Sequence, residues 1–244
     1  LPPLFIGTSG WNYDDWRESF YGGVPRKQWL AHCGRRFSGI EVNATFYRFM
    51  GREVMERWRD AVPDGFAFAV KGSRLVTHRH RLGDFSSLPD QRRAAAGLGA
   101  KLAVVLWQLP ANFASDAARL RRFVRALERW PEPRHAIEFR HPSWFTGETA
   151  GILADAAIAA CQSDSPEWPL WDRLTTDFVY ARLHGHRRLY CSNYGEASLK
   201  SWARRIAGWR HRGRTVHVYF DNTDEGRAPR NAVRLRELCG QGKE

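Results

Sequence analysis

The sequence predicts an α/β fold: a single closed (β/α)8 barrel of the TIM type, one domain over residues 1–244, irregular at its sixth unit. Three observations predict it. Short apolar or β-branched runs alternate with amphipathic runs of helical period. The apolar runs are continuous rather than alternating, as expected of parallel strands buried on both faces. No Pro-, Gly- or Ser-rich stretch divides the 244 residues, a length that one barrel fills.

The strands are expected at 5–8, 39–42, 66–70, 103–107 and 136–139, then weakly at 157–160, then at 178–183 and 215–220. Helices are expected between them at 26–35, 53–61, 88–99, 115–130, 148–153, 197–210 and 231–238. The strongest is 115–130: Ser115 is placed to cap it, and Leu120, Phe123, Leu127 and Trp130 share one face. The sixth strand is weak and the segment 162–177 after it holds Pro166 and Pro169, hence the irregular sixth unit. The competing architecture is an open nucleotide-binding sheet. Its GxGxxG fingerprint is not supplied by Gly7-Thr8-Ser9-Gly10-Trp11, and no GxxxxGK[ST] loop occurs.

Hydrophobic residues at 43% and charged residues at 26% describe a folding chain rather than a disordered one. Cys33, Cys161, Cys191 and Cys239 are scattered without a CxxC, which argues against a zinc knuckle or a disulfide framework. The longest apolar run, 102–106, is too short to span a membrane. No secretory leader is visible, so a cytoplasmic protein with no membrane partner is expected. The net charge of +12 comes from 38 basic and 26 acidic residues, and only five of the basic residues are lysine. Arginine suits bidentate recognition of phosphate and carboxylate. The positive field attracts nucleic acid or anionic metabolites. No helix-turn-helix, zinc-finger or RNA-binding signature is present, so any nucleic-acid binding is expected to be weak and nonspecific.

Closure of the barrel would gather the C-terminal strand ends around one mouth. Those ends read Ser9 and Trp11, Glu41 and Asn43, Lys71, Gln108, Glu138 and Arg140, Arg182 and His184, then Asp221 and Asn222. Polar groups at nearly every strand end predict a pocket for a small anionic or polar ligand. Glu41 and Glu138 are candidate general acid and base; ion pairing with Lys71, Arg140 or Arg182 is the structural alternative. Arg182 and His184 share a strand face, and His184 is a candidate proton relay or a satisfied structural histidine. Lys71 suits anion binding or, with a depressed pKa, imine chemistry. Three cations (Lys71, Arg140, Arg182) against two carboxylates predict a bound anion, with Asp221 the alternative counter-charge. On that reading, methionine at 71 or 182 weakens binding with little loss of folding. Trp11, Tyr47 and Trp144 are aromatic candidates for ligand contact, with Asn43, Gln108 and Asn222 as polar ones. His78 and His80 share a face only if extended, and no HExxH is present. No metal is expected, and the cofactor is left unknown.

At these residues the sequence closely resembles the YecE-like family, domain of unknown function family 72. The resemblance rests on Gly7-Thr8-Ser9-Gly10-Trp11, on Glu41-Val42-Asn43-Ala44-Thr45-Phe46-Tyr47-Arg48, and on Phe68-Ala69-Val70-Lys71 with Thr77-His78. It continues through Trp107-Gln108-Leu109-Pro110, Glu138-Phe139-Arg140-His141-Pro142-Ser143-Trp144 and Arg182-Leu183-His184-Gly185. It closes on Tyr219-Phe220-Asp221-Asn222-Thr223 and Ala228-Pro229-Arg230-Asn231-Ala232. The resemblance implies a TIM-type barrel and supports Glu41, Asn43, Tyr47, Lys71, Gln108, Glu138, Arg140, His184 and Asn222 as pocket residues. It brings no reaction. Asp221 stands where many relatives have asparagine, which adds a carboxylate to the floor.

Three functional readings follow. The first is an enzyme using acid/base chemistry on a small anionic or polar organic substrate, through Glu41, Glu138 or His184 with Lys71 and Arg182 assisting. The second is a nucleic-acid-binding or phosphodiester-processing protein. The third is a ligand sensor without turnover.

Overall fold

The computed structural model describes residues 1–241. The apolar runs form parallel strands: β1 (Leu4–Thr8), β2 (Gly39–Val42), β3 (Ala67–Lys71), β4 (Leu102–Gln108), β5 (Arg134–Glu138), β6 (Ala159–Ala160), β7 (Gln162–Asp164), β8 (Phe178–Leu183) and β9 (Thr215–Phe220). They build an α/β fold with two parallel sheets, one of four strands ordered β1-β9-β8-β7 and one of five ordered β2-β3-β4-β5-β6.

The sheets approach each other at two places. At the first, Ser9 and Glu41 form a lone parallel bridge. Beside it, Ser38 N donates to Ile6 O (3.1 Å) and Gly10 N to Glu41 O (2.7 Å). Gly7 makes this approach possible, because a Cβ there would run into the Gly39 carbonyl. At the second, β6 pairs with β5 and β7 with β8, and only Cys161 separates β6 from β7. The single weak strand expected at 157–160 is present only at 159–160 and its path continues, after Cys161, as β7. Ala157 takes φ +53 in the turn that ends the preceding helix, so extended pairing starts only at Ala159.

The amphipathic runs form α1 (Trp29–Arg36), α2 (Ala44–Tyr47), α3 (Arg52–Asp60), α4 (Leu88–Ala95), α5 (Ala117–Leu127), α6 (Gly147–Asp155), α7 (Glu196–His211) and α8 (Arg227–Leu238). The short α2 was not expected. The helix expected to 99 stops as α4 at Ala95 and tightens into a 3-10 turn, where Gly97 packs against the Arg52 carbonyl and Gly99 takes φ +54. The cap of α5 is Asp116, not Ser115. Extended backbone at Asp116 puts its carboxylate over the first turn, accepting from Arg119 N at 2.9 Å, while Ser115 N donates to Ser143 Oγ.

Two large apolar clusters hold the helices on the strands. One gathers Ile6, Ile40, Phe68, Val179 and Val218 with side chains of α1, α7 and α8. The other gathers Val105, Trp107 and Ile137 with Leu120, Phe123 and Leu127 of α5 and Leu153 of α6. A third, smaller cluster is drawn from the strands of both sheets and from Cys161 between β6 and β7: Ala69, Val104, Leu106, Ala136, Ala159, Cys161, Phe178, Tyr180 and Tyr219. Among the described residues, no helix is long and apolar enough to cross a membrane.

Candidate functional site

Successive side chains of a strand point to opposite faces, so positions two apart share one. Two residues beyond members of the third cluster lie Lys71, Gln108, Glu138, Ser163, Arg182 and Asp221. Two beyond Gly7 and Gly39 lie Ser9 and Glu41. Each strand path thus ends its apolar inner face in a polar side chain, and all of these groups are buried.

Arg182 is the hub. Its side chain is 1% exposed. It clamps Glu41 in bidentate fashion, Nε to Oε2 at 3.0 Å and one terminal nitrogen to Oε1 at 2.7 Å. It also reaches Glu138 Oε2 (2.7 Å), Asp221 Oδ2 (3.0 Å) and Ser9 Oγ (3.1 Å). Such charge-assisted bonds offset the cost of burying the guanidinium. Glu41 further accepts from the Ser9 hydroxyl and from Tyr180 Oη at 2.6 Å. Glu138 accepts from Ser163 Oγ at 2.8 Å and from His184 Nε2 at 2.7 Å. The other ring nitrogen of His184 lies 2.9 Å from Asp221 Oδ2. Burial works to raise the Glu138 carboxyl, but Arg140, Arg182 and His184 hold it well below the usual carboxylate range. Burial opposes ionisation of Asp221 likewise, and Arg182 with His184 overrides it.

This network revises the charge argument drawn from sequence. Glu41, Glu138 and Asp221 together match Lys71, Arg140 and Arg182, so no external anion is needed for neutrality. Arg182 is 1% exposed and hydrogen-bonded to Glu41, Glu138, Asp221 and Ser9. Glu41 and Glu138, saturated with donors and unexposed, fit holding Arg182 better than exchanging protons with a substrate.

Lys71 differs from its neighbours. It is 8% exposed, and its amine sits 4.2 Å from the centre of the Phe46 ring. Among the described residues, it is the one buried charged side chain of this layer without an ion pair. Burial, then the charge of Arg182, pulls its pKa down to about 8. Beside it, the His78 ring meets Phe46 edge-on at 4.9 Å, and its Nε2 is 3.4 Å from Gln108 Nε2. Burial, then Lys71 and Arg140, pulls His78 down to about 4. Arg140 lies over Trp168 at 4.3 Å, donates to Tyr190 Oη at 3.3 Å and approaches Glu138 Oε1 at 3.5 Å. Arg140 Nε and Asn43 Oδ1 are buried without a hydrogen-bond partner among the described residues, although Asn43 Nδ2 donates to Ser9 Oγ at 2.8 Å.

Four expected contacts lie elsewhere. Trp144 is fully buried, stacks on Phe139 and donates to Phe113 O, within the helix-side cluster. Asn222, one residue from Asp221, faces the opposite way; it donates to Ser192 O and Asn231 Oδ1 and ties β9 to α8. Trp11 packs edge-on against Trp58 of α3. Tyr47 is 68% exposed and touches Phe46. His78 and His80 diverge, because Leu75–Arg79 is a helical turn rather than extended; His80 faces Asp84. Among the described residues, no three His, Cys, Asp or Glu side chains gather to hold a metal ion. Sequence reading passed over Ser163 and Trp168. Ser163 shares the period-2 face of Ala159 and Cys161, a signal hidden by the weak sixth strand. Trp168 sits in a loop with no periodicity to read.

The profile of the family described as "Protein of unknown function DUF72" matches residues 5–244. The chain is 23% identical to the UPF0759 protein YecE of Escherichia coli K12, covering 93% of this chain and 89% of the relative. It is 24% identical to the UPF0759 protein YunF of Bacillus subtilis, covering 96% and 94%. Its fold is similar to a solved DUF72 family protein of Thermotoga maritima, with a TM-score of 0.85 at 24% identity over 98% and 99% of the two chains. A DUF72 family protein of Enterococcus faecalis gives a TM-score of 0.83 at 15% identity over 99% and 97%.

Proposed function

The chain belongs to the DUF72 family, and on that footing we propose that it is an enzyme acting by acid/base chemistry on a small anionic or polar organic molecule. The site is the mouth of a single closed (β/α)8 barrel formed by the two sheets. Closure is supported by the Ser9–Glu41 bridge on one side and by the β6–Cys161–β7 path on the other. The observation that carries the functional reading is Lys71: a buried amine at a strand end, unpaired among the described residues, with a pKa brought to about 8. An amine that titrates near neutrality can both take and give a proton at working pH. Arg140, whose Nε faces Glu138 Oε1 at 3.5 Å and whose one hydrogen bond among the described residues goes to Tyr190 Oη, holds the anionic group of the ligand through its terminal nitrogens. Gln108, His78 and Asn43 supply neutral polar contacts. The Arg182 network keeps the floor rigid and its charges fixed. His184 acts within that floor, orienting Glu138 and Asp221 rather than relaying protons. We place the protein in the cytoplasm, where its four free cysteines would stay reduced.

Mass spectrometry of molecules retained by the natively purified chain identifies a ligand. Its affinity is then measured on Lys71→Met and Arg140→Gln. Both variants are expected to bind at least about tenfold more weakly, the loss of one charge-assisted contact. Wild-type affinity in both would overturn the reading.

A groove away from the strand ends favours a second activity. It encloses about 860 Å³ between α4 and α5 and is lined by Arg52, Arg92, Arg93, Arg122, Arg125 and Arg129. Arg92 pairs with Glu132 and Arg93 with Asp90, but Arg122, Arg125 and Arg129 make no ion pair among the described residues. We propose that this face binds nucleic acid weakly and without sequence preference, through the phosphates.

A further inference from the structure

We propose that Lys71 forms an imine with an aldehyde or ketone that carries a carboxylate or phosphate group, with Arg140 holding that anionic group. This rests on the proposed mouth and names its substrate class. Four observations carry it. The Lys71 amine has no carboxylate within ion-pair distance among the described residues, so no fixed counter-charge holds it as ammonium. The groups beside it, the Phe46 ring and the His78 imidazole against that ring, carry no formal negative charge. Every carboxylate of the layer is already engaged by another group: Glu41 by Arg182, Glu138 by Arg182, Arg140 and His184, and Asp221 by Arg182. Lys71 ends β3 and Arg140 follows β5, two strands away, roughly 10 Å along the sheet. A carbonyl placed at Lys71 and an anion placed at Arg140 therefore belong to one molecule with several bonds between them.

The chemistry balances without a further reactant. The neutral amine's lone pair attacks the carbonyl carbon, and the carbonyl π pair moves to oxygen. Oxygen takes up a proton as nitrogen loses one, giving a carbinolamine. The hydroxyl then leaves with a second proton as water, and the carbon–nitrogen double bond closes. The burial that lowers the Lys71 pKa supplies the neutral amine near pH 8.

Reductive trapping tests this on the whole chain. The protein is incubated at pH 8 with succinic semialdehyde, 2-oxoglutarate or glyceraldehyde 3-phosphate, with butanal as the uncharged comparison, in the presence of cyanoborohydride. Each trapped adduct adds the mass of the carbonyl compound less one oxygen. The chain has only five lysines, so peptide mapping assigns the adduct without ambiguity. Expected is modification of Lys71 about tenfold or more faster than of exposed Lys27 and Lys200, because far more of a lowered-pKa amine is neutral at pH 8. At least one anionic carbonyl should outpace butanal at Lys71, and Arg140→Gln should erase that preference while butanal still reacts. Which anionic probe reacts fastest separates carboxylate from phosphate. Lys71 labelling no faster than Lys27 or Lys200 overturns the imine. Equal rates for butanal and all anionic probes in the wild type overturn the role of Arg140. A retained ligand whose affinity depends on Lys71 and Arg140, without any trapping, defeats the imine and leaves the acid/base reading standing. Normal ligand affinity in both variants defeats that reading.

Discussion

Lys71 and Arg182 were read from the sequence as two cations of one anion site, and their surroundings give them opposite energetics. The folded-state pKa of Lys71 is lowered to about 8 from 10.5. Between those values the unfolded chain binds more protons than the folded one, so stability rises with pH through that window. Below pH 8 the full cost of the buried ammonium is present. Methionine has similar length and no charge. Lys71→Met is therefore expected to raise stability at pH 7 by about 2 kcal/mol, and the advantage should fade between pH 8 and 10.5. Urea unfolding at pH 7 and at pH 9.5 measures both quantities; a variant less stable than wild type at pH 7 contradicts the account. Arg182→Met has the opposite sign. It leaves Glu41, Glu138 and Asp221 facing one another in a dry layer, and a loss of about 3–5 kcal/mol, or no folded protein, is expected. An unchanged Tm would remove Arg182 from the role of counter-ion. Residue types at the strand ends were legible in the sequence. Which cation was enclosed was not, because that depends on Ser9, Glu41, Glu138 and Asp221 arriving from other strands.

At the scale of elements, the strands with continuous apolar character were placed to within about two residues, because burial on both faces imposes that pattern locally. The sixth starts two residues later than expected for a reason that is also local: Ala157 takes a left-handed turn conformation that alanine composition does not signal. Helix ends were less legible. Both Ser115 and Asp116 are cap-forming residue types, and only the backbone direction into α5 selects between them. Asp116→Ala is expected to cost about 1 kcal/mol, whereas Ser115→Ala should stay within about 0.5 kcal/mol. Thermal unfolding of the two variants side by side tests this, and the reverse order would return the cap to Ser115.

At the scale of the whole molecule, the charge of +12 is unevenly used. Arg182 is consumed in the interior, while Arg122, Arg125 and Arg129 lie exposed along one outer groove. If phosphates bind there, affinity for a mixed-sequence DNA duplex should fall steeply with salt. The triple variant Arg122→Gln, Arg125→Gln, Arg129→Gln should flatten the log–log slope by about 2–3 units, close to 0.9 per lost phosphate contact. Fluorescence anisotropy between low and moderate salt measures this. Binding that keeps its slope in the triple variant would assign the contacts to another face, and strong sequence preference would contradict the nonspecific reading.

The sequence alone determined the α/β class, the order of most strands and the family, because buried parallel strands and their polar ends leave marks within a few residues of one another. It also marked Lys71, Arg140 and Arg182 as chemistry at strand ends. Only the tertiary structure decided which of them is ringed by carboxylates and which is not. Glu41, Glu138, Arg182 and Asp221 lie up to 180 residues apart in the chain, yet they close one another's hydrogen-bonding capacity. Electrostatic balance is a sum over neighbours in space, and a one-dimensional pattern carries no record of which neighbours those are. Lys71 stands out only when those neighbours are placed and its amine, among the described residues, meets the Phe46 ring and no carboxylate at ion-pair distance.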